Sequence, residues 1–140
     1  MRNGIYKTLL ISIFFLAFIS CSNDDDSNHK QSLNGNYNGT FTVEYLNGDT
    51  FSNSVTVRFS EGNNYQSSGN KDYFPAGGSG TYKKSNSTIE FFDINFWTTN
   101  FDWHLILGGE YEYSIKGNEL ILSKSKSDFG IYKYELTKGK

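Results

Sequence analysis

The sequence has little of what helices and reactive sites are made from. Among 140 residues there are one cysteine, one proline, one methionine and two histidines. Alanine occurs only as Ala17 and Ala76, whereas serine, asparagine and glycine together make up about a third of the chain. That balance starves helices and feeds strands and turns, so a helical bundle is excluded. One cysteine permits no intramolecular disulfide, and the core must hold itself by packing. A formal net charge of -2 lacks the basic footprint of a nucleic-acid binder, so no nucleic-acid partner is expected. The longest apolar run, Leu9 to Ile19 with Ser12 as its one interruption, falls well short of the roughly 20 residues a spanning helix needs.

What is there begins with an address. Arg2 and Lys7 precede the apolar run and the small Ser20 follows it, the layout of a signal peptide over residues 1–20. The segment Phe18-Ile19-Ser20-Cys21 resembles the lipobox of bacterial lipoproteins, with Phe18 where that family prefers leucine. The resemblance implies that the Cys21 thiol carries diacylglycerol, that the chain is cut before it, and that the new amino terminus is often acylated. The partner is then a membrane, reached through acyl chains on Cys21. Each buried methylene contributes about 0.8 kcal/mol, so two or three chains make a firm anchor. An incidental thiol and an uncleaved anchor are the competing readings; position, flanks and uniqueness of the cysteine favour lipidation.

Residues 22–32, SNDDDSNHKQS, contain no apolar side chain and read as a disordered tether. Three adjacent aspartates, Asp24 to Asp26, lack the converging ligands that calcium needs, and His29 has no partner in this pattern. The acidic run directly after the cysteine resembles the surface-export signal of lipoproteins from the Bacteroidota. That resemblance implies the outer membrane and its outer face, with a periplasm-facing position as the alternative.

From Leu33 to the end, residues 33–140, the hydrophobic period is two. Phe41, Val43 and Tyr45 alternate with Thr40, Thr42 and Glu44, and Asn47-Gly48 predicts a type I′ hairpin turn. Val55, Val57 and Phe59 form the next strand, Glu61 to Asn64 a turn, and Tyr65 a short strand. Tyr82 to Phe91 is a hairpin around Ser85-Asn86-Ser87. Tyr111, Tyr113 and Ile115 turn through Lys116-Gly117-Asn118 into Leu120 and Leu122, and Ile131 to Thr137 is the last strand. Eight or nine short strands joined by tight turns predict an all-β fold, with a small antiparallel up-and-down barrel favoured over a sandwich. Gly35-Asn36-Tyr37 resembles the Gly-x-Trp signature that opens lipocalin and other calycin barrels. Gly80-Thr81-Tyr82 and Ile89-Glu90-Phe91 look like strand pairs of short bacterial lipocalin-like lipoproteins. The chain is shorter than typical lipocalins, and ligand transport follows only weakly from the resemblance.

Chemistry is sparse. Asp102 and His104 are two apart on an expected strand and would share a face, which is read as structural rather than catalytic. Gly77-Gly78-Ser79-Gly80 has neither nucleophile-elbow spacing nor a phosphate-loop lysine, and reads as a flexible loop at the barrel mouth. Glu110 and Glu112 belong to the solvated side of a strand. With one histidine in the domain, no metal cluster, cofactor or catalytic residue is expected. The unusual window is Phe91 to Trp103, which holds both tryptophans. Its aromatics, Phe96, Trp97, Phe101 and Trp103, either fold inward as a plug, the favoured reading, or form a ligand-binding patch. The sequence therefore points to a non-enzymatic barrel module that binds a small apolar or glycan ligand. A protein-interaction module with a filled barrel, a hydrolase inhibitor or envelope-complex subunit, is the rival reading, and an enzyme the third.

Overall fold

A computed structural model describes residues 32–140. The signal peptide of residues 1–20, Cys21 and the tether as far as residue 31 lie outside the described residues. Eight strands form: β1 Gly35–Tyr45, β2 Thr50–Ser60, β3 Asn64–Ser67, β4 Gly78–Lys84, β5 Thr88–Asp93, β6 Gly109–Lys116, β7 Glu119–Lys126 and β8 Gly130–Lys138. Each pairs antiparallel with its successor, and β8 returns to β1 from Tyr37↔Lys138 to Tyr45↔Gly130, closing an up-and-down barrel. Closure pairs every strand on both sides, which answers the edge problem of a sheet that no α-helix covers among the described residues.

Period-two alternation decides which side chains face inward. Tyr37, Phe41 and Val43 of β1, Val55, Val57 and Phe59 of β2, and Tyr132, Tyr134 and Leu136 of β8 are all buried. Their neighbours Asn36, Asn38, Thr40, Thr56, Arg58 and Glu135 are exposed. An eight-stranded barrel is just wide enough for side chains to fill, and here rings fill it. Phe41 lies 4.7 Å from Tyr134, Tyr65 4.8 Å from Phe91, and Phe59 5.2 Å from Tyr82, mostly tilted or edge-on. Such pairs add about 0.5–1.5 kcal/mol each beyond their area. The lumen is a packed core. Where pairing backbones press closest only glycine fits: a Cβ at Gly39 would stand 1.9 Å from the Glu135 carbonyl oxygen.

The two ends differ. One carries the short turns at 61–63, 85–87 and 117–118, together with the point where Leu33 enters, itself buried. The other carries the connections 46–49, 68–77, 94–108 and 127–129, and forms the mouth. The Asn47-Gly48 connection departs from the expected turn. Gly48 alone takes a positive φ, its N–H donates to the Tyr45 carbonyl, and the Tyr45 N–H donates to Asp49. This is a three-residue loop with a glycine bulge, and Asn47 serves it by its side chain, accepting from the Asp49 N–H at 3.0 Å. The expected flexible loop at Gly77 to Gly80 is also corrected. Gly78 to Gly80 open β4, and Gly77 bridges Ile106. Close approach is the reason, since a Cβ at Gly80 would meet the Phe92 carbonyl oxygen at 2.0 Å.

Candidate functional site: the mouth cleft

The mouth is capped by aliphatics, not by the aromatic window expected to plug it. Leu105, Ile106 and Leu107 are buried there, held to the 68–77 connection by Ala76 N–H donating to Leu105 O and Leu107 N–H donating to Gly77 O. A β segment that has left its ladder still needs partners for its backbone, and this parallel bridge supplies them. With the end already sealed, Phe91, on β5, is the window's one ring inside the lumen, and the rings that follow β5 stay at the mouth, where Trp97 and Phe101 pack against the core. Phe96 is fully exposed and Trp103 is 54% exposed, while Phe101 lies flat on Tyr73 at 4.3 Å and Trp97 is half-buried. Phe101 and Trp97 meet edge-on at 5.9 Å.

Two aspartates fix the feet of this window. Asp93 ends β5 at an inward-facing position, after Ile89 and Phe91. Its Oδ1 accepts from the Ser79 N–H (2.8 Å) and Asn95 Nδ2 (2.7 Å). Its Oδ2 accepts from Trp97 Nε1 (2.6 Å) and the Asn95 N–H (3.2 Å). Asp102 does the same at the other foot. Oδ1 accepts from the His104 N–H at 2.8 Å and faces Nδ1 of the same residue at 2.9 Å. Oδ2 accepts from the hydroxyls of Tyr132 (2.7 Å) and Tyr45 (3.2 Å). A carboxylate with every lone pair engaged by charge-assisted bonds is a strong structural clamp. Burial alone raises the Asp102 pKa; the hydrogen bonds from Tyr132 and His104 outweigh it, and the carboxyl titrates below the ordinary aspartate range. Burial and the same carboxylate push the Tyr45 hydroxyl up to about 12.

The expectation that Asp102 and His104 share a strand face is corrected. Asp102 caps a one-turn 3-10 helix, Trp103–Leu105, so the pair is joined by a local backbone turn. Its carboxylate is occupied by two tyrosines and a cap. The His104 ring packs 4.5 Å from Phe129 and 5.6 Å from Tyr132.

Between the window and the ends of β5, β6 and β7 lies a cleft of about 430 Å³. Trp97 and Trp103 form its aromatic wall, and Asp93, Asn95, His104, Glu110, Lys124 and Lys126 carry its polar groups. The volume falls in the lower half of the roughly 300–1,000 Å³ range of small-molecule sites. Both indole N–H groups are already engaged, Trp97 with Asp93 and Trp103 with the Thr98 carbonyl at 2.8 Å. The rings are thereby oriented, and what they offer a ligand is their faces.

Lys124 is the buried cation of the site. It follows Leu120 and Leu122 on the inward face of β7 and is only 7% exposed. Its Nζ donates to the Gly108 carbonyl at 3.1 Å and stands over the Tyr111 ring at 4.4 Å and the Tyr132 ring at 5.5 Å. Desolvation, aided by repulsion from Lys126 and opposed by Asp102, lowers its pKa to about 8.

Of the four aromatic residues expected to bind ligand, Trp97 and Trp103 line the cleft. Phe101 braces it from behind through Tyr73. Phe96 points away into solvent. Lys124 and Asp93, which line the cleft, and Tyr45 and Tyr132, which hold Asp102, were not expected at the site. Alternation held a signal for two of them, because Asp93 and Lys124 occupy inward positions of their strands and only a buried role explains a charge there. What the described residues define is a small closed β-barrel with a filled lumen and a cleft at its mouth. No protein-family model, no curated protein and no solved structure matches the chain.

Proposed function

We propose that the protein is an outer-membrane lipoprotein, held by acyl chains on Cys21, whose barrel is a non-enzymatic recognition module taking a glycan at its mouth. The carrying observation is the contrast between a lumen packed with rings and a cleft walled by the two hydrogen-bonded indoles of Trp97 and Trp103. Flat apolar faces beside hydrogen-bonding side chains suit a sugar, which offers C–H faces and hydroxyl edges together. The filled lumen speaks against carriage of an apolar ligand inside the barrel. Leu33, the first core residue, enters the barrel at the end opposite the mouth, so the preceding segment joins the domain at the end away from the cleft.

These are the chain's two tryptophans, so intrinsic emission reports on the cleft alone. Titration with a panel of neutral and charged oligosaccharides is expected to give a saturable emission change that Trp103→Ala abolishes. A panel without any response would refute glycan recognition. Anchoring is tested apart from this, by metabolic labelling with a clickable fatty acid; label that survives Cys21→Ala would refute it.

A second reading, docking of a partner protein, is favoured by one observation. Phe96 is fully exposed and Ile94 largely so, and exposed apolar side chains of that kind mark interaction surfaces.

A further inference from the structure

The wall of the barrel opens beside the cleft. Pairing of β6 with β7 ends at Glu112↔Ser123, whereas β5–β6 runs on to Phe91↔Gly109 and β7–β8 to Lys126↔Gly130. Gly109–Tyr111 and Lys124–Lys126 therefore part from each other at the mouth. A second cleft, about 280 Å³, lies along the same opening and shares Glu110, Lys124 and Lys126 with the first. These three side chains are reached from both sides of the wall.

We infer that this opening is a binding site for a carboxylated sugar, the acidic unit of a glycan, with its carboxylate between Lys124 and Lys126 and its ring against Trp103. The inference rests on the glycan reading of the same cleft and names the ligand's charge. Lys124 and Lys126 are two apart on one strand face, and neither forms an ion pair among the described residues. A buried ammonium has three N–H donors, and the one hydrogen bond of Lys124 goes to Gly108 O. Lys124 is a buried cation with one hydrogen bond and two ring faces about it, and the exposed cation Lys126 stands two residues along the same face; the pair is costly until an anion joins it.

The carboxylates nearby do not fill that role. Asp93 and Asp102 spend their lone pairs on the feet of the window. Glu110 and Glu112, which line the opening with the two lysines, form no ion pair among the described residues, and Glu110 stands in both clefts as an acceptor. A sugar acid answers each of these groups at once: carboxylate for the lysines, hydroxyl donors for Glu110, and a C–H face for the indole. A small inorganic anion answers the first alone.

The test is a tryptophan-emission titration of the full-length protein in detergent with sodium glucuronate and N-acetylneuraminate. Glucose, sodium acetate and inorganic phosphate serve as comparators. Acidic sugars are expected to bind about tenfold more tightly than glucose, and Lys126→Gln and Lys124→Met each to weaken them by about tenfold. Equal binding of glucose and glucuronate would overturn the inference and leave glycan recognition standing. Acetate or phosphate matching glucuronate would overturn the sugar component. Acidic-sugar binding unchanged in both lysine variants would move the site elsewhere and so refute it. Silence toward every sugar would remove the glycan reading itself, and this inference with it.

Discussion

Replacing Asp102 with alanine removes four hydrogen-bond acceptor contacts at one foot of the aromatic window. Two belong to hydroxyls, and that of Tyr132 sits on a side chain with no exposed surface. A hydrogen bond to a charged group contributes about 1.5–3 kcal/mol, and stranding a buried donor adds its desolvation cost, so the variant is expected to lose about 2–4 kcal/mol. For a domain of this size that lowers Tm by roughly 8–20 °C. Circular dichroism measures the melt, and tryptophan emission reports the loosening of Trp103 at the same time. The depressed carboxyl pKa fixes the pH dependence. This contribution is fully present above about pH 4, the unfolded value, and is lost as pH falls through the lower folded value, so the two proteins converge in acid. A double-mutant cycle with Tyr132→Phe should give a coupling of at least about 1 kcal/mol. A melt within 2 °C of the parent (about half a kcal/mol), with unchanged emission, would show that Asp102 does not clamp the window.

Lys124→Met should stabilise the domain at pH 7, since a lysine whose folded pKa is lowered to about 8 holds its charge at a cost. That cost fades as pH rises from 8 toward the unfolded value, so urea unfolding at pH 7 and 9.5 should show the advantage shrinking; destabilisation at both would contradict the argument. Gly80→Ala drives a Cβ to 2.0 Å from the Phe92 carbonyl at a φ of +154, and should cost about 2–4 kcal/mol or prevent soluble expression. A Tm equal to the parent's would refute it. Trp103→Phe should remove most acrylamide-quenchable emission, because Trp103 is the more exposed tryptophan; equal quenching in the variant would place Trp97 in solvent instead.

Much of the barrel was legible because one rule, alternation of rings with polar residues, wrote it. Phe41–Val43, Val55–Phe59 and Tyr111–Ile115 fall in strands with the expected side chains inward, Tyr113 and Ile115 partly buried, and Ile131–Thr137 falls in β8. Closure by β1 with β8, rather than a sandwich, agrees with a spacing that demands no long crossover. The mouth was less legible, since its geometry is made by contacts between segments distant in sequence. Nothing near Leu105 announces that it will pair with Ala76, and nothing near Tyr45 announces Asp102, 57 residues on. The glycines at 77–80 misled for a related reason: a glycine required by a neighbouring strand's backbone looks, in one dimension, like one required by a bend.

The two aspartate clamps divide the labour of the chain between residues 93 and 102. The first clamp ties the segment to itself and to β4, taking Asn95 and Trp97 from within and Ser79 from outside; the second draws every donor from outside, Tyr45, Tyr132 and His104. The eight residues between them belong to no strand, so, apart from Asn95, Trp97 and Phe101, their sequence can be exchanged at small expense to folding. The segment then behaves as a cassette on a fixed frame. Transplanting a different stretch between Asp93 and Asp102 would redirect recognition while the barrel, its filled interior and its tether stayed as they are. Divergence of specificity in such a protein would be written in Ile94, Phe96 and residues 98–100, and constancy in the two carboxylates and the side chains that meet them.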